Sequence, residues 1–312
     1  MPPADSVVSD QSDSRRLALT LAGGGNRAFY QLGLLDGWWE RLAPRVGTVA
    51  CCSAGACIAV IVLSGRRDET LAYWKSRRDG VTRNFEWHRL LAGRRPTPHF
   101  PIYRDTMRFA LGDGGLDRLR AAPFPIEVLV AAPPPGLPIP FAVPIGLGAY
   151  SLERWLDPGR LHPGAGRRLG FEPVVRDLRE ARSVEEAADL VLASSATPPF
   201  TPVGRVDGAP VLDGGVVDNA PAFVAERGER AWDGHLVLLT RPYPPGSVGR
   251  RGGRWYHCPS EPVPVNRWDY TRPERIDGAI TLGRRDADRF AGELDRWLVA
   301  TDGRAPAPSA GA

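Results

Sequence analysis

The stretch Val46-Gly47-Thr48-Val49-Ala50-Cys51-Cys52-Ser53-Ala54-Gly55-Ala56-Cys57-Ile58-Ala59-Val60-Ile61-Val62-Leu63 decides the fold. Its first part, Val46 to Cys52, reads as an apolar strand. Its second part, Ala54 to Leu63, is apolar throughout and stops at Ser64-Gly65, which suits a buried helix with Gly65 as its C-terminal stop. Working outward, Leu17 to Ala22 is a short apolar run that ends in glycines, a buried strand. Phe29 to Leu42 carries Leu32, Leu35, Trp38, Trp39 and Leu42 at helical spacing. Strand, helix, strand and helix within the first 65 residues predict a three-layer α/β/α domain around a mostly parallel sheet.

Further strands are expected at Ile126 to Ala132 and His235 to Thr240. A helix is expected at Ser183 to Ser194, where Ser183 and Glu186 have capping-box spacing, and another at Asp286 to Val299. Residues 133–173 are dense in Pro and Gly and read as loops. Residues 1–14 read as a disordered leader, 15–300 as the domain and 301–312 as a disordered tail.

Composition narrows the function. Of the 312 residues 43% are apolar and 24% charged, which points to a packed globular chain. The 40 basic and 36 acidic residues leave a net charge of +4, too mild to suggest nucleic acid. No apolar run reaches the ~20 residues of a spanning helix, and the N-terminus lacks the apolar core of a secretory signal. A cytoplasmic location follows as the expectation. Cys51, Cys52, Cys57 and Cys258 form neither a disulfide framework nor a CxxC metal spacing, so no metal is expected.

Three local patterns carry chemistry. Ser53 sits between a strand and a helix among small neighbours, as in the nucleophile elbow G-x-S-x-G, with Cys51 at the first glycine position. The blander alternative is a serine that caps the helix. Gly23-Gly24-Gly25-Asn26-Arg27-Ala28 follows the first strand and can bring several backbone N–H groups to one anion. The spacing Gly23-x-Gly25-x-x-Ala28 also fits a dinucleotide fingerprint, but the second strand ends Ala50-Cys51-Cys52-Ser53, without the carboxylate a ribose needs. An oxyanion hole is the better reading. Asp213, in Leu212-Asp213-Gly214-Gly215, follows an apolar run and can take the Ser53 proton. Asp207-Gly208 looks like a hairpin turn, and Asp218 like a local turn former.

In this order, the glycine loop, Ser53-Ala54-Gly55, the stretch Leu192 to Phe200, and Asp213-Gly214-Gly215 with Asn219-x-Pro221 resemble the patatin-like lipid acyl hydrolase family over about residues 17–225. Cys51 and Ala28 stand where that family usually has Gly. The resemblance implies a Ser–Asp dyad with Ser53 as nucleophile and Asp213 as base, and an oxyanion hole at Gly23, Gly24, Gly25 and Arg27. Gly55, Gly214, Gly215 and Asn219 would support it. It implies hydrolysis of lipid carboxylic esters without a cofactor.

The alternatives are a Ser–His–Asp esterase, an acyltransferase, or a catalytically silent lipid-binding protein. A triad needs a His after the acid in chain order, which leaves His235 and His257; His88, His99 and His162 read as surface or structural residues. Residues 66–108 hold eleven basic and five acidic residues, with Tyr73, Trp74, Phe85, Trp87, Phe100 and Tyr103 among Arg77, Arg78, Arg83, Arg89, Arg94 and Arg95. This segment reads either as a solvated surface with its aromatics packed inward or as a peripheral contact with a membrane beside the active site; no nucleic-acid module accompanies it.

Overall fold

A computed structural model describes residues 16–93, 95–228 and 231–302. Among the described residues the strands are β1 (Leu17–Leu21), β2 (Val46–Cys52), β3 (Ile126–Ala132), β4 (Glu172–Asp177), β5 (Gly204–Val206), β6 (Ala209–Asp213), β7 (Gly234–Leu238), β8 (Gly249–Arg251) and β9 (Arg254–His257). The helices are α1 (Phe29–Leu42), α2 (Ala54–Leu63), α3 (Arg67–Ser76), α4 (Trp87–Leu91), α5 (His99–Leu111), α6 (Gly115–Arg120), α7 (Ile139–Leu156), α8 (Ala165–Arg168), α9 (Val184–Ala193), α10 (Ala222–Ala225), α11 (Arg275–Arg289) and α12 (Ala291–Asp302).

The middle of the sheet is parallel, in the order β3-β2-β1-β7-β9. Every residue of β1, β2 and β7 is buried, as expected for parallel strands covered on both faces. Successive side chains go to opposite layers. Leu19, Leu21, Val49 and Cys51 pack with α1, α2, α5 and α11. Ala18, Ala50 and Cys52 pack on the other side with Leu129, Phe171 and Val216. The elements α1, β2, α2 and β3 have the bounds read from sequence. Asp207 (φ 51°) and Gly208 (φ 78°) form the hairpin turn between β5 and β6, the positive-φ geometry that suits right-twisted strands.

Three expectations need correction. Residues 133–173, read as loops, contain α7, an 18-residue helix. Pro140 lies in its first turn, where a missing N–H is tolerated, and Pro144 is carried inside it. The helix is held by burial of Ala142 with Phe171 and Val216. The helix expected at Asp286 to Val299 is two helices, α11 and α12, with a break at Phe290. Asp286 lies inside α11 because it is buried and accepts hydrogen bonds from Tyr30 Oη at 2.9 Å and Ser260 Oγ at 2.6 Å. Residues 301–302, assigned to the tail, complete α12. The leader and the rest of the tail lie outside the described residues. Among the described residues no helix is long and apolar enough to cross a membrane.

Candidate active site

The third strand brings the elbow and the acid together. β2 pairs with Ile126–Leu129 and ends with Cys52 opposite Leu129; β6 pairs with Val130 and Ala131 and ends with Asp213 opposite Val130. β4 runs along β3 over Glu127–Ala132. A strand has only two edges, so β2 and β6 share the other one in succession. Their C-terminal residues therefore meet, and Ser53 Oγ donates a 2.9 Å hydrogen bond to Asp213 Oδ2.

Ser53 has φ 52° and ψ −127°, a backbone state rare for a residue with a side chain. The turn is tight because α2 starts at once over β1. A Cβ on Gly55 would lie 2.2 Å from the Leu21 carbonyl oxygen, so glycine is required there. Ser194 braces the elbow: its Oγ accepts from Ser53 N at 2.8 Å and donates to Leu129 O at 2.6 Å. Cys51, at the elbow's first glycine position, is fully buried and its thiol faces Glu127 O. Ala28 has ordinary helical angles, so its methyl group strains nothing.

Asp213 caps the short turn Gly214–Val216, its Oδ1 accepting from Gly215 N at 2.7 Å. Its own N–H is held by Ala196 O, and that of Gly214 by Ser194 O. Burial pushes the carboxyl up to about 6, against the opposing pull of the Gly215 N–H, the Ser53 hydroxyl and the nearby Arg267.

The glycine loop is pinned by one carbonyl. Gly23 O accepts from Asn219 Nδ2 at 3.0 Å and Thr240 Oγ1 at 2.8 Å, and Gly23 N donates to Asn219 O at 2.9 Å. The Gly23 N–H is thus engaged, which separates it from its two neighbours. In a trans peptide the next N–H points away from that carbonyl, so Gly24 N–H is turned away from Asn219 and Thr240. Gly25 has φ 58° and lies against the Arg267 carbonyl, where a Cβ would be 2.4 Å from the oxygen. Arg27 follows, half-buried, its pKa lowered to about 10 by burial and by Arg267 and Arg154.

A pocket opens beside Ser53 and Asp213. Gly25, Ser53, Asp213 and Arg267 lie at its polar side, and Phe29, Ala54, Cys57, Ile58 and Trp74 form apolar wall. His99, Trp268 and Tyr270 line both this pocket and a second apolar one with Phe85 and Phe200.

Among the described residues no histidine bonds to Ser53 or Asp213. His235 is held between Thr20 Oγ1 at 2.7 Å and Glu226 Oε1 at 2.8 Å. His257 faces Tyr30 Oη at 3.1 Å, packs against Trp38, Trp255 and Phe290, and is pushed down to about 4 by burial. His162 bonds Asp218 and Tyr256, His88 lies beside Glu86, and buried His99 bonds Tyr270. Asp218 also accepts from Ala220 N, as a turn former does.

In the basic segment 66–108, Arg77 pairs with Asp105 and Arg89 with Glu86. Arg78 is buried with its guanidinium on the Asp269 and Tyr270 carbonyls. Trp74 and Tyr103 are buried in the core, whereas Trp87 is 73% and Leu91 93% exposed.

Sequence reasoning missed Ser194 as a brace and Arg267 as a charge acting on the acid. The first was visible only as part of a resembling stretch; the second had no local signal.

Among curated proteins none matches the sequence. Among solved structures the chain is similar to VipD from Legionella pneumophila, at 13% identity and a TM-score of 0.40, over 90% of this chain and 67% of that one. The family model described as patatin-like phospholipase matches residues 19–226, the span that holds the glycine loop, the elbow and Asp213. This chain belongs to the patatin-like phospholipase family.

Proposed function

We propose that the protein is a serine lipid acyl hydrolase that works through a Ser53–Asp213 dyad and an acyl-enzyme. The observation that carries this reading is the 2.9 Å hydrogen bond from Ser53 Oγ to Asp213 Oδ2 at a strained elbow. Asp213 Oδ2 takes the hydroxyl proton as Ser53 Oγ attacks the ester carbonyl. The oxyanion forms against the N–H groups of Gly24 and Gly25; such donors are worth about 3–4 kcal/mol of barrier each. Arg27 lines the neighbouring cleft instead. The carbonyl re-forms, the C–O bond breaks, and Asp213 returns the proton to the leaving alcohol. Water then attacks the acyl-enzyme carbonyl as Asp213 again takes a proton; the bond from Ser53 Oγ to the acyl carbon breaks, Asp213 returns the proton to Ser53 Oγ, and the fatty acid leaves. A carboxyl near 6 is ionised at neutral pH and is a stronger base than an ordinary Asp. Gly23 shapes the loop rather than donating to the oxyanion, since its N–H is already bonded to Asn219.

The apolar wall of the pocket suits an acyl chain. The membrane contact proposed for residues 66–108 centres on Phe85, Trp87 and Leu91 rather than on the arginines, several of which are engaged within the protein. Phe85 packs with Trp87 and Phe200 and lines the second pocket, which shares His99, Trp268 and Tyr270 with the dyad pocket. A lipid bilayer is the occupant that fits, because this face leads directly to the acyl pocket.

The test is reaction with a fluorophosphonate probe and turnover of a p-nitrophenyl acyl ester. Labelling that disappears in Ser53→Ala, together with turnover, supports the reading. An unlabelled, inactive but folded wild-type protein would make it a lipid-binding protein of this fold instead.

A further inference from the structure

Next to the acyl pocket along the glycine loop lies a second cleft, walled by Gly23, Gly24 and five arginines: Arg27, Arg154, Arg160, Arg241 and Arg267. They come from the glycine loop, from α7 and the turn after it, and from the loops after β7 and before α11. No carboxylate lines this cleft among the described residues. Arg160 is paired with Glu153 at 2.7 Å and Asp157 at 3.1 Å. The other four make no salt bridge among the described residues. The Nε atoms of Arg27 and Arg267 are buried without a hydrogen-bond partner among the described residues.

The guanidiniums are held in place by neutral groups. Arg154 Nη1 donates to Tyr150 Oη at 3.1 Å, Arg241 Nη2 to Pro158 O at 2.8 Å, and Arg241 stacks 3.7 Å over the Tyr243 ring. Burial and mutual repulsion lower the proton affinity of Arg27 and Arg241. Like charges gathered in a half-buried cleft are costly unless an anion joins them. Planar guanidiniums are the side chains best matched to phosphate oxygens.

Arg267 lines both this cleft and the pocket at Ser53 and Asp213, and the glycine loop borders both, with Gly24 at the cleft and Gly25 at the pocket. Given the acyl hydrolase reading, on which this inference rests, the acyl chain fills the apolar side and the alcohol part of the ester points into the arginine cleft. We propose that the cleft binds the phosphate of an anionic lipid headgroup and selects such lipids over zwitterionic and neutral ones. The selection follows from what the cleft lacks as much as from what it holds. A phosphocholine or phosphoethanolamine would bring a cation among four unpaired arginines with no carboxylate to receive it.

Binding to the folded Ser53→Ala protein, where turnover cannot interfere, tests this by calorimetry with monomeric lysophosphatidic acid, lysophosphatidylcholine of the same chain length, and inorganic phosphate. Lysophosphatidic acid is expected to bind about tenfold or more tightly than lysophosphatidylcholine, and Arg154→Gln with Arg241→Gln to weaken it by about tenfold or more, as loss of charge-assisted bonds does. Arg154→Gln alone, on a half-exposed helix position, guards against misfolding and is expected to give a smaller loss in the same direction. Equal affinity for the two lysolipids, or unchanged lysophosphatidic acid binding in the variants, overturns the proposal. Inorganic phosphate binding as tightly as the lysolipid assigns the cleft to a free anion and overturns the headgroup reading. Failure of the hydrolase reading is distinguishable, since it appears as absent turnover of a neutral ester by the wild type.

Discussion

Asp213→Asn separates the catalytic role proposed for Asp213 from its cost in stability. Asn keeps an oxygen for the Gly215 N–H, and its amide donates to Ser53 Oγ in place of the bond now running the other way. It cannot take a proton, so ester hydrolysis should fall by about 10²–10⁴-fold, the usual contribution of a positioned base. Stability should move in the opposite direction. Burial is the main cause that raises the Asp213 carboxyl from its ordinary 3.8 to about 6. Below pH 3.8 it is protonated in both the folded and the unfolded chain, so it does not weigh on folding. Between 3.8 and 6 the unfolded chain ionises first, and the folded state loses stability as pH rises. Above that range the loss is constant. At about 1.4 kcal/mol per tenfold change in proton affinity it amounts to about 3 kcal/mol. Thermal unfolding of wild type and Asp213→Asn from pH 3.5 to 8 should therefore give similar melting temperatures at the acid end. The variant should gain a lead of several degrees that opens through the mid-range and levels off above about pH 6. A gap that does not change with pH, or wild-type turnover in the variant, would refute the reasoning.

Wild-type kcat/KM on a neutral ester should rise with pH along a limb with midpoint near the Asp213 value of about 6; a pH-independent profile from 5 to 8 would contradict Asp213 as the base. Ser53→Gly should abolish fluorophosphonate labelling and yet raise the melting temperature, because glycine accepts φ 52° at a saving of about 1 kcal/mol. Gly55→Ala should destabilise the fold by several kcal/mol, since the added carbon would sit 2.2 Å from Leu21 O, against backbone that cannot give way; expression level and denaturant midpoint read this. His257→Ala should lose stability through its aromatic contacts with Trp38, Trp255 and Phe290, while turnover per folded molecule stays within about twofold, whereas a triad member would cost orders of magnitude. Trp87→Ser with Leu91→Ser should weaken co-sedimentation with lipid vesicles and leave hydrolysis of a soluble ester in place; equal sedimentation would remove α4 from the membrane contact.

The run from Leu17 to Leu63 declared its own structure. Its strands are short apolar runs, its helices have apolar spacing or an unbroken apolar stretch of helical length, and α1, β2 and α2 end where the sequence changes character. Local chemistry also identified Ser53 as the residue at the strand–helix junction and Ser183 as a helix cap, whose Oγ accepts from Glu186 N at 3.1 Å. These features depend on neighbours in the chain, so the chain alone reveals them. The rest depends on partners far away in sequence. α7 exists despite Pro144 inside it because Phe171 and Val216 cover one side of it, which composition cannot foretell. The break at Phe290 comes with an Asp286 fixed inside α11 by Tyr30 and Ser260. Ser53 and Asp213 are 160 residues apart, and only the register of β2 and β6 on β3 turns two candidate residues into a hydrogen-bonded pair. The hydrogen bonds that take up the Gly23 N–H and carbonyl, and the gathering of Arg27, Arg154, Arg241 and Arg267 around one cleft, are likewise properties of loops brought together by the sheet. A hydrogen bond or a charge cluster of that kind has no sequence period. Its members are set by distance in space, and the packed tertiary structure alone supplies that distance.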